Sequence, residues 1–85
     1  MIPATIQSIW DNGGKTIDRY TIVFMTREKY NQYQPTLSFS KHPEHAIGFS
    51  MWGQGVGGPH LGRQIEWTDL DIDLREHVLS RIIGE

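Results

Sequence analysis

The chain has 85 residues, a net charge of −2 and no cysteine. A chain of that length makes one domain, 1–85, that buries roughly 60% of its unfolded surface without help from a disulfide or a thiolate metal site. Charge so near balance argues against a binder of duplex nucleic acid, whose footprint is a strongly basic face.

No apolar run approaches the roughly 20 residues that span a bilayer. The opening MIPATIQSIW lacks the basic start and long apolar segment of a signal peptide. The expected compartment is the cytoplasm, with no membrane partner. Charge is uneven along the chain: residues 1–63 carry six basic and four acidic side chains, whereas residues 64–85 carry two basic and six acidic. The acidic end reads as a solvated helix whose carboxylates complement the dipole at its N-terminus.

In chain order, Ala4 to Trp10 reads as a first strand, and DNGG after it as a turn, because Asn and Gly tolerate positive φ. Arg19 to Met25, RYTIVFM, has apolar residues on both faces and is expected to be central. The residues between Trp10 and Arg19 then form a long hairpin loop. Arg27 to Pro35 is polar and suits an exposed connection. TLSFS alternates, with Leu37 and Phe39 on one face and Thr36, Ser38 and Ser40 on the other. After a break at Pro43, IGFSMW resumes alternation, which predicts Ile47, Phe49 and Met51 inward and Trp52 facing away from the core. RQIEW is short, with Ile65 and Trp67 on one side. The period then changes: Leu74, Val78, Leu79, Ile82 and Ile83 recur at helical spacing, Asp71 is the expected N-cap, and the helix is predicted over about Ile72 to Ile83. These elements predict an α+β fold: a small bent antiparallel sheet or partly open β-barrel of about five strands, with one C-terminal helix.

Between Trp52 and Arg63 stand five glycines. Gly53, Gly55 and Gly58 match G-x-G-x-x-G only formally, because Pro59 and a strand follow where a nucleotide fingerprint needs a helix. Glycines also let backbone N–H groups approach an anion closely. A ligand site is therefore expected at Gly55, Gly57 and Gly58, with His60 and Arg63 beside them and Trp52 as a stacking face. Asn12, Gly13, Gly14 and Lys15 of the DNGGK loop join it if the two loops meet. The alternative is that these glycines only permit tight turns. His42, His45 and His60 are numerous enough for a three-ligand zinc site, although Pro43 disfavours a regular helix there. Turn formation and hydrogen bonding are the plainer roles, and neither metal nor cofactor is expected. Ser8, Ser38, Ser40, Ser50 and Ser80 lack the surroundings of a nucleophile elbow. Asp69, Asp71 and Asp73 read as a helix entry, so a non-enzymatic protein is expected.

The segments IWDNGGKTIDRYTIVF, HPEHAIGFSMWG and GPHLGRQIEWTDL, with the terminal helix, resemble a group of small proteins encoded by bacteriophages and bacterial mobile elements. The resemblance covers nearly the whole chain, and DNGGKT.DRYT with PHLGR is its specific part. It implies no activity. It implies a context, the cytoplasm of a bacterial host, in which small proteins act by occupying a host enzyme, a defence complex or a signalling nucleotide. Two readings follow. In one, the domain sequesters a small anionic, phosphate-bearing ligand. In the other, it is a protein-binding inhibitor of a host or defence complex, or a structural phage component, using its acidic helix and exposed aromatics. A homo-oligomer fits either.

Overall fold

A computed structural model of the chain describes residues 5–25 and 34–84. Its elements are β1 (Ile6–Asp11), β2 (Tyr20–Phe24), β3 (Gln34–Phe39), β4 (Ser50–Gly55), β5 (Arg63–Ile65) and α1 (Ile72–Gly84), with single 3₁₀ turns at Pro59–Leu61 and Trp67–Asp69. The strands form one antiparallel sheet in the order β4-β3-β2-β1-β5. The sheet is open and does not close into a barrel, so the fold is α+β: five antiparallel strands and one C-terminal helix. Residues 26–33, which hold most of the expected polar connection, lie outside the described residues. Gln34 and Pro35 already belong to β3.

β2 is the centre of the sheet because its sequence, YTIVF, is β-branched or aromatic throughout and both faces of it are buried. Strand register places Ile65, Ile9, Ile22, Leu37 and Trp52 in one row across all five strands. Two residues along, on the same face, Arg63, Asp11, Tyr20, Phe39 and Ser50 form a second row. A bulge between Ile6 and Ser8 lets Ile6 join Ile9 on this face although the two are three positions apart. α1 closes over it with Leu74 and Val78, and Trp67 and Leu70 fill the approach to the helix. Each such aliphatic side chain contributes about 1.5–3 kcal/mol by leaving water.

The helix begins where the sequence predicts, with the Asp71 carbonyl accepting the Arg75 N–H at 3.0 Å. Its buried stripe differs from the expected one. Leu79 and Ile83 are exposed, while His77 is buried beside Leu74 and Val78. The carboxylate of Asp69 accepts the Glu66 N–H in a capping box around the 3₁₀ turn, so this acidic segment is partly structural.

Strand β4 corrects the alternation expected for IGFSMW. It starts only at Ser50, and Ile47 is left exposed in the preceding turn. Trp52, expected to face away, stands on the helix-side face opposite Leu37, with its ring 5.4 Å from that of Phe24. Met51 takes the outward side. The turn displaced the phase: residues 41–48 make bends stabilised by His45 N–H to His42 O and Gly48 N–H to His45 O. Alternation cannot be read through such a turn.

The other face of the sheet carries Ser8, Trp10, Thr21, Val23 and Thr36. It is covered from an unexpected direction. β4 and β5 are opposite edges of the sheet, so the chain between them must cross it. A Cβ added to Gly57 would stand 3.1 Å from Ser8 Oγ, 3.2 Å from Trp10 Nε1 and 3.6 Å from Val23 Cγ2, which puts the crossing directly on that face. Trp10 meets it with its indole N–H donated to Ser8 Oγ at 2.9 Å. Gly57 thus permits close approach of backbone to sheet. Among the described residues no helix is long and apolar enough to cross a membrane.

Candidate functional site

All three connections at one end of the sheet meet there: the β1–β2 loop, the β3–β4 turns and the segment entering β5. The β1–β2 loop is shaped by its own side chains. Asp11 Oδ1 accepts the Gly13 N–H at 2.8 Å, and Asn12 Oδ1 accepts the N–H groups of Gly14 at 2.8 Å and Lys15 at 3.1 Å. Gly13 and Gly14 take positive φ within these Asx turns, 77° and 90°. Asn12 Nδ2 donates to Thr16 Oγ1 and to the Asp18 carbonyl, and Thr16 donates in turn to the Asp18 carboxylate. The loop closes with Asn12 N–H on the Arg19 carbonyl.

Against this loop packs the segment entering β5. Gly62 has φ 112°, and a Cβ there would lie 2.3 Å from the Asp11 carbonyl oxygen. Only glycine permits that approach. The two loops therefore converge, around an open hollow of about 530 Å³ lined by Asp11, Asn12, Gly13, Lys15, Arg19, Pro59, Gly62 and Arg63. Arg19 Nε donates to Asp11 Oδ1 at 2.9 Å, and its guanidinium lies 5.2 Å from the Tyr20 ring centre. Burial pushes the Asp11 carboxyl up, but the Arg19 hydrogen bond, the Gly13 N–H and the charges of Arg19 and Arg63 outweigh it and hold the group below its ordinary range. The Asp11 hydrogen bond in turn raises Arg19. Burial raises the Tyr20 phenol, against the opposing charge of Arg19. Among the described residues, neither Lys15 nor Arg63 makes a side-chain hydrogen bond or ion pair.

Of the residues singled out in the sequence, Asn12, Gly13, Lys15 and Arg63 line this hollow, and Gly14 belongs to the same loop. Trp52, Gly55, Gly57, Gly58 and His60 do not line it. Trp52 lies at the other edge of the sheet, Gly55 ends β4, and Gly57 rests on Trp10. His60 is exposed in the 3₁₀ turn with its imidazole against Gly58. The backbone N–H groups of Gly13, Gly14 and Lys15 are donated inside the loop. What faces the hollow is cationic side chains. Arg19, Asp11, Pro59 and Gly62 were not singled out, although Arg19 sits in the DRYT part of the motif.

Comparison of the chain with protein-family models, with curated proteins and with solved structures returned no match.

On the far side of the β1–β2 loop, Ile17 and Ile47 border a second hollow of about 380 Å³ with Lys41, His42 and His45. His60 is not part of it. Among the described residues no three His, Asp or Glu side chains are grouped so as to hold a metal ion.

A third cluster escaped the sequence altogether. Ser50 Oγ lies 2.9 Å from His77 Nε2, and His77 Nδ1 lies 2.5 Å from Glu44 Oε1. The imidazole is 5.4 Å from the Phe39 ring and its side chain is 1% exposed. The one sequence signal is a histidine on the buried stripe of the helix, one residue before Val78. Glu44 and Ser50 are 33 and 27 positions away.

Proposed function

We propose that the protein is a binding protein whose cationic hollow takes a small phosphate-bearing ligand, and that this site binds without catalysing. The observation that carries the reading is the convergence of Lys15, Arg19 and Arg63, from two loops distant in sequence, around one open hollow. Arg19 is held by Asp11. Lys15 and Arg63 make no ion pair with a described residue, so their charge is available to an anion, Lys15 as a point charge and Arg63 as a planar fork. In the phage context that the resemblance implies, a signalling nucleotide of a host or defence system is such a ligand, and its sequestration the purpose.

Calorimetric titration with inorganic phosphate and with mono-, di- and cyclic nucleotides tests this. Binding that weakens about 10-fold or more in Lys15→Ala or Arg63→Ala is the expected result, since a hydrogen bond to a charged group is worth about 1.5–3 kcal/mol. An absence of heat and of thermal shift at millimolar ligand would overturn it. A second reading, a contact surface for a host or defence protein, is supported by the exposed Met51 on edge strand β4 and Val56 just beyond it. In that case Lys15→Ala and Arg63→Ala leave function intact, while Met51→Lys abolishes it.

A further inference from the structure

We infer that Ser50 is an activated nucleophile, with His77 as its general base and Glu44 as the positioning residue, competent to take an acyl group from a neutral or cationic carboxylic ester. The inference is independent of the anion-binding reading and concerns different residues.

The atom pattern carries it. An ionised carboxylate only accepts hydrogen bonds, so Glu44 beside Nδ1 fixes the imidazole proton on that nitrogen. In the neutral ring Nε2 is then an acceptor, and the hydroxyl 2.9 Å away is its donor. Nucleophile to base and base to orienting carboxylate is the arrangement that acyl transfer needs, and it is recognised by geometry and not by position in sequence. The ring is held against rotation by its burial and by Phe39. Ser50 itself is half-buried at the first position of β4, and Glu44 is largely exposed. The half-buried hydroxyl is the reachable part of the cluster, and a hollow of about 310 Å³ lined by Glu44, Asp73, Glu76, His77 and Ser80 adjoins the imidazole. Three carboxylates on that hollow repel an anionic ester and favour a neutral or cationic one. The charge preference is opposite to that of the cationic hollow. Ser50 and Arg63 end the same cross-strand row, four strand spacings or about 19 Å apart.

The step balances with water as the only co-reactant. Ser50 Oγ bonds to the ester carbonyl carbon as its proton passes to His77 Nε2. The bond to the leaving oxygen breaks, and the alcohol departs with that proton. Water then attacks the acyl carbon, gives a proton to Nε2, and releases the carboxylic acid while Ser50 recovers its hydrogen.

The test uses the full chain with a fluorophosphonate probe and with p-nitrophenyl acetate. The expected results are one phosphonyl adduct on Ser50, located by peptide mass spectrometry, and a stoichiometric burst of p-nitrophenolate, both lost in Ser50→Ala. Glu44→Gln changes an exposed side chain and should keep the melting temperature within a few degrees. It should slow acylation about 10- to 100-fold at saturating ester while leaving the half-saturating concentration unchanged. No adduct on Ser50, an adduct spread over other serines, or equal acylation rates in Glu44→Gln and the parent would each overturn the proposal.

Discussion

Two polar clusters at the same end of the sheet are built in opposite ways. The cationic hollow draws Asp11, Asn12, Lys15 and Arg19 from one loop, and most of that loop's polar atoms bond to each other. Lys15 and Arg63, which make no ion pair with a described residue, are exposed. The Ser50, His77 and Glu44 cluster draws one residue each from a strand, a helix and a turn, and it encloses the imidazole between them. A dense local motif is thus largely a recipe for its own loop, with the surplus charge as the part left for a partner. The long-range cluster is not built by any one of its segments, and its geometry is set by the packing of α1 on the sheet.

Four substitutions sharpen this contrast. The largest effect is expected at the backbone junction of the cationic hollow. Gly62→Ala places a Cβ 2.3 Å from a carbonyl oxygen at φ 112°, and should cost about 3 kcal/mol or more, seen as a fall in melting temperature of roughly 10–20 °C. If Gly62→Ala melts like the parent, the two loops are not held together as described.

Next comes His77→Leu, which keeps the apolar contact with Phe39 and removes both hydrogen bonds. It should destabilise by about 1–3 kcal/mol in urea titrations, the range for stranding a partly buried hydroxyl. Lys15→Ala, on the exposed loop, should stay within about 0.5 kcal/mol of the parent. Equal losses for the two would erase the distinction between a packed cluster and a solvated one.

A further effect is confined to the acid limb. Because the folded state holds the Asp11 carboxyl below its ordinary value, its contribution is fully present above the unfolded value, about pH 3.9, and is lost as pH falls through the lower folded value. Asp11→Asn should therefore flatten the stability profile below about pH 4. The change at neutral pH should be about 0.5–1 kcal/mol, the scale of a solvent-accessible ion pair. An unchanged acid limb would mean that Arg19 and Gly13 do not select the charged carboxylate.

The elements legible in the sequence were those whose pattern is local and uninterrupted. YTIVF declares a doubly buried strand, and Asp71 with the period of Leu74 and Val78 declares the helix. The phase of β4 was not legible, because the bends over residues 41–48 delay the strand to Ser50, and a shift of one residue exchanges the faces. Trp52 moved to the core side for that reason. Of the candidate site, Lys15 and Arg63 were legible as cations flanked by glycines. Asp11 and Arg19 were harder, since their pairing depends on the hairpin closing. Glu44, Ser50 and His77 were illegible because no sequence spacing encodes three elements meeting. Of the glycines after Trp52, Gly57 lets the chain lie close on Ser8 and Trp10, a contact that no local spacing announces.

That crossing has a consequence for the length of the chain. The segment from Gly55 to Arg63 spans four strand spacings, about 19 Å sideways before any displacement along the strands is counted. Gly58 is already fully extended at φ 163°, ψ 177°. Three of the intervening residues are coiled in the 3₁₀ turn, where each advances only about 2 Å, and the rest supply at most about 3.4 Å apiece. The segment therefore has almost no slack. It should accept an inserted residue and refuse the removal of two, which makes the distance between the edges of the sheet a ruler that the chain itself has to match.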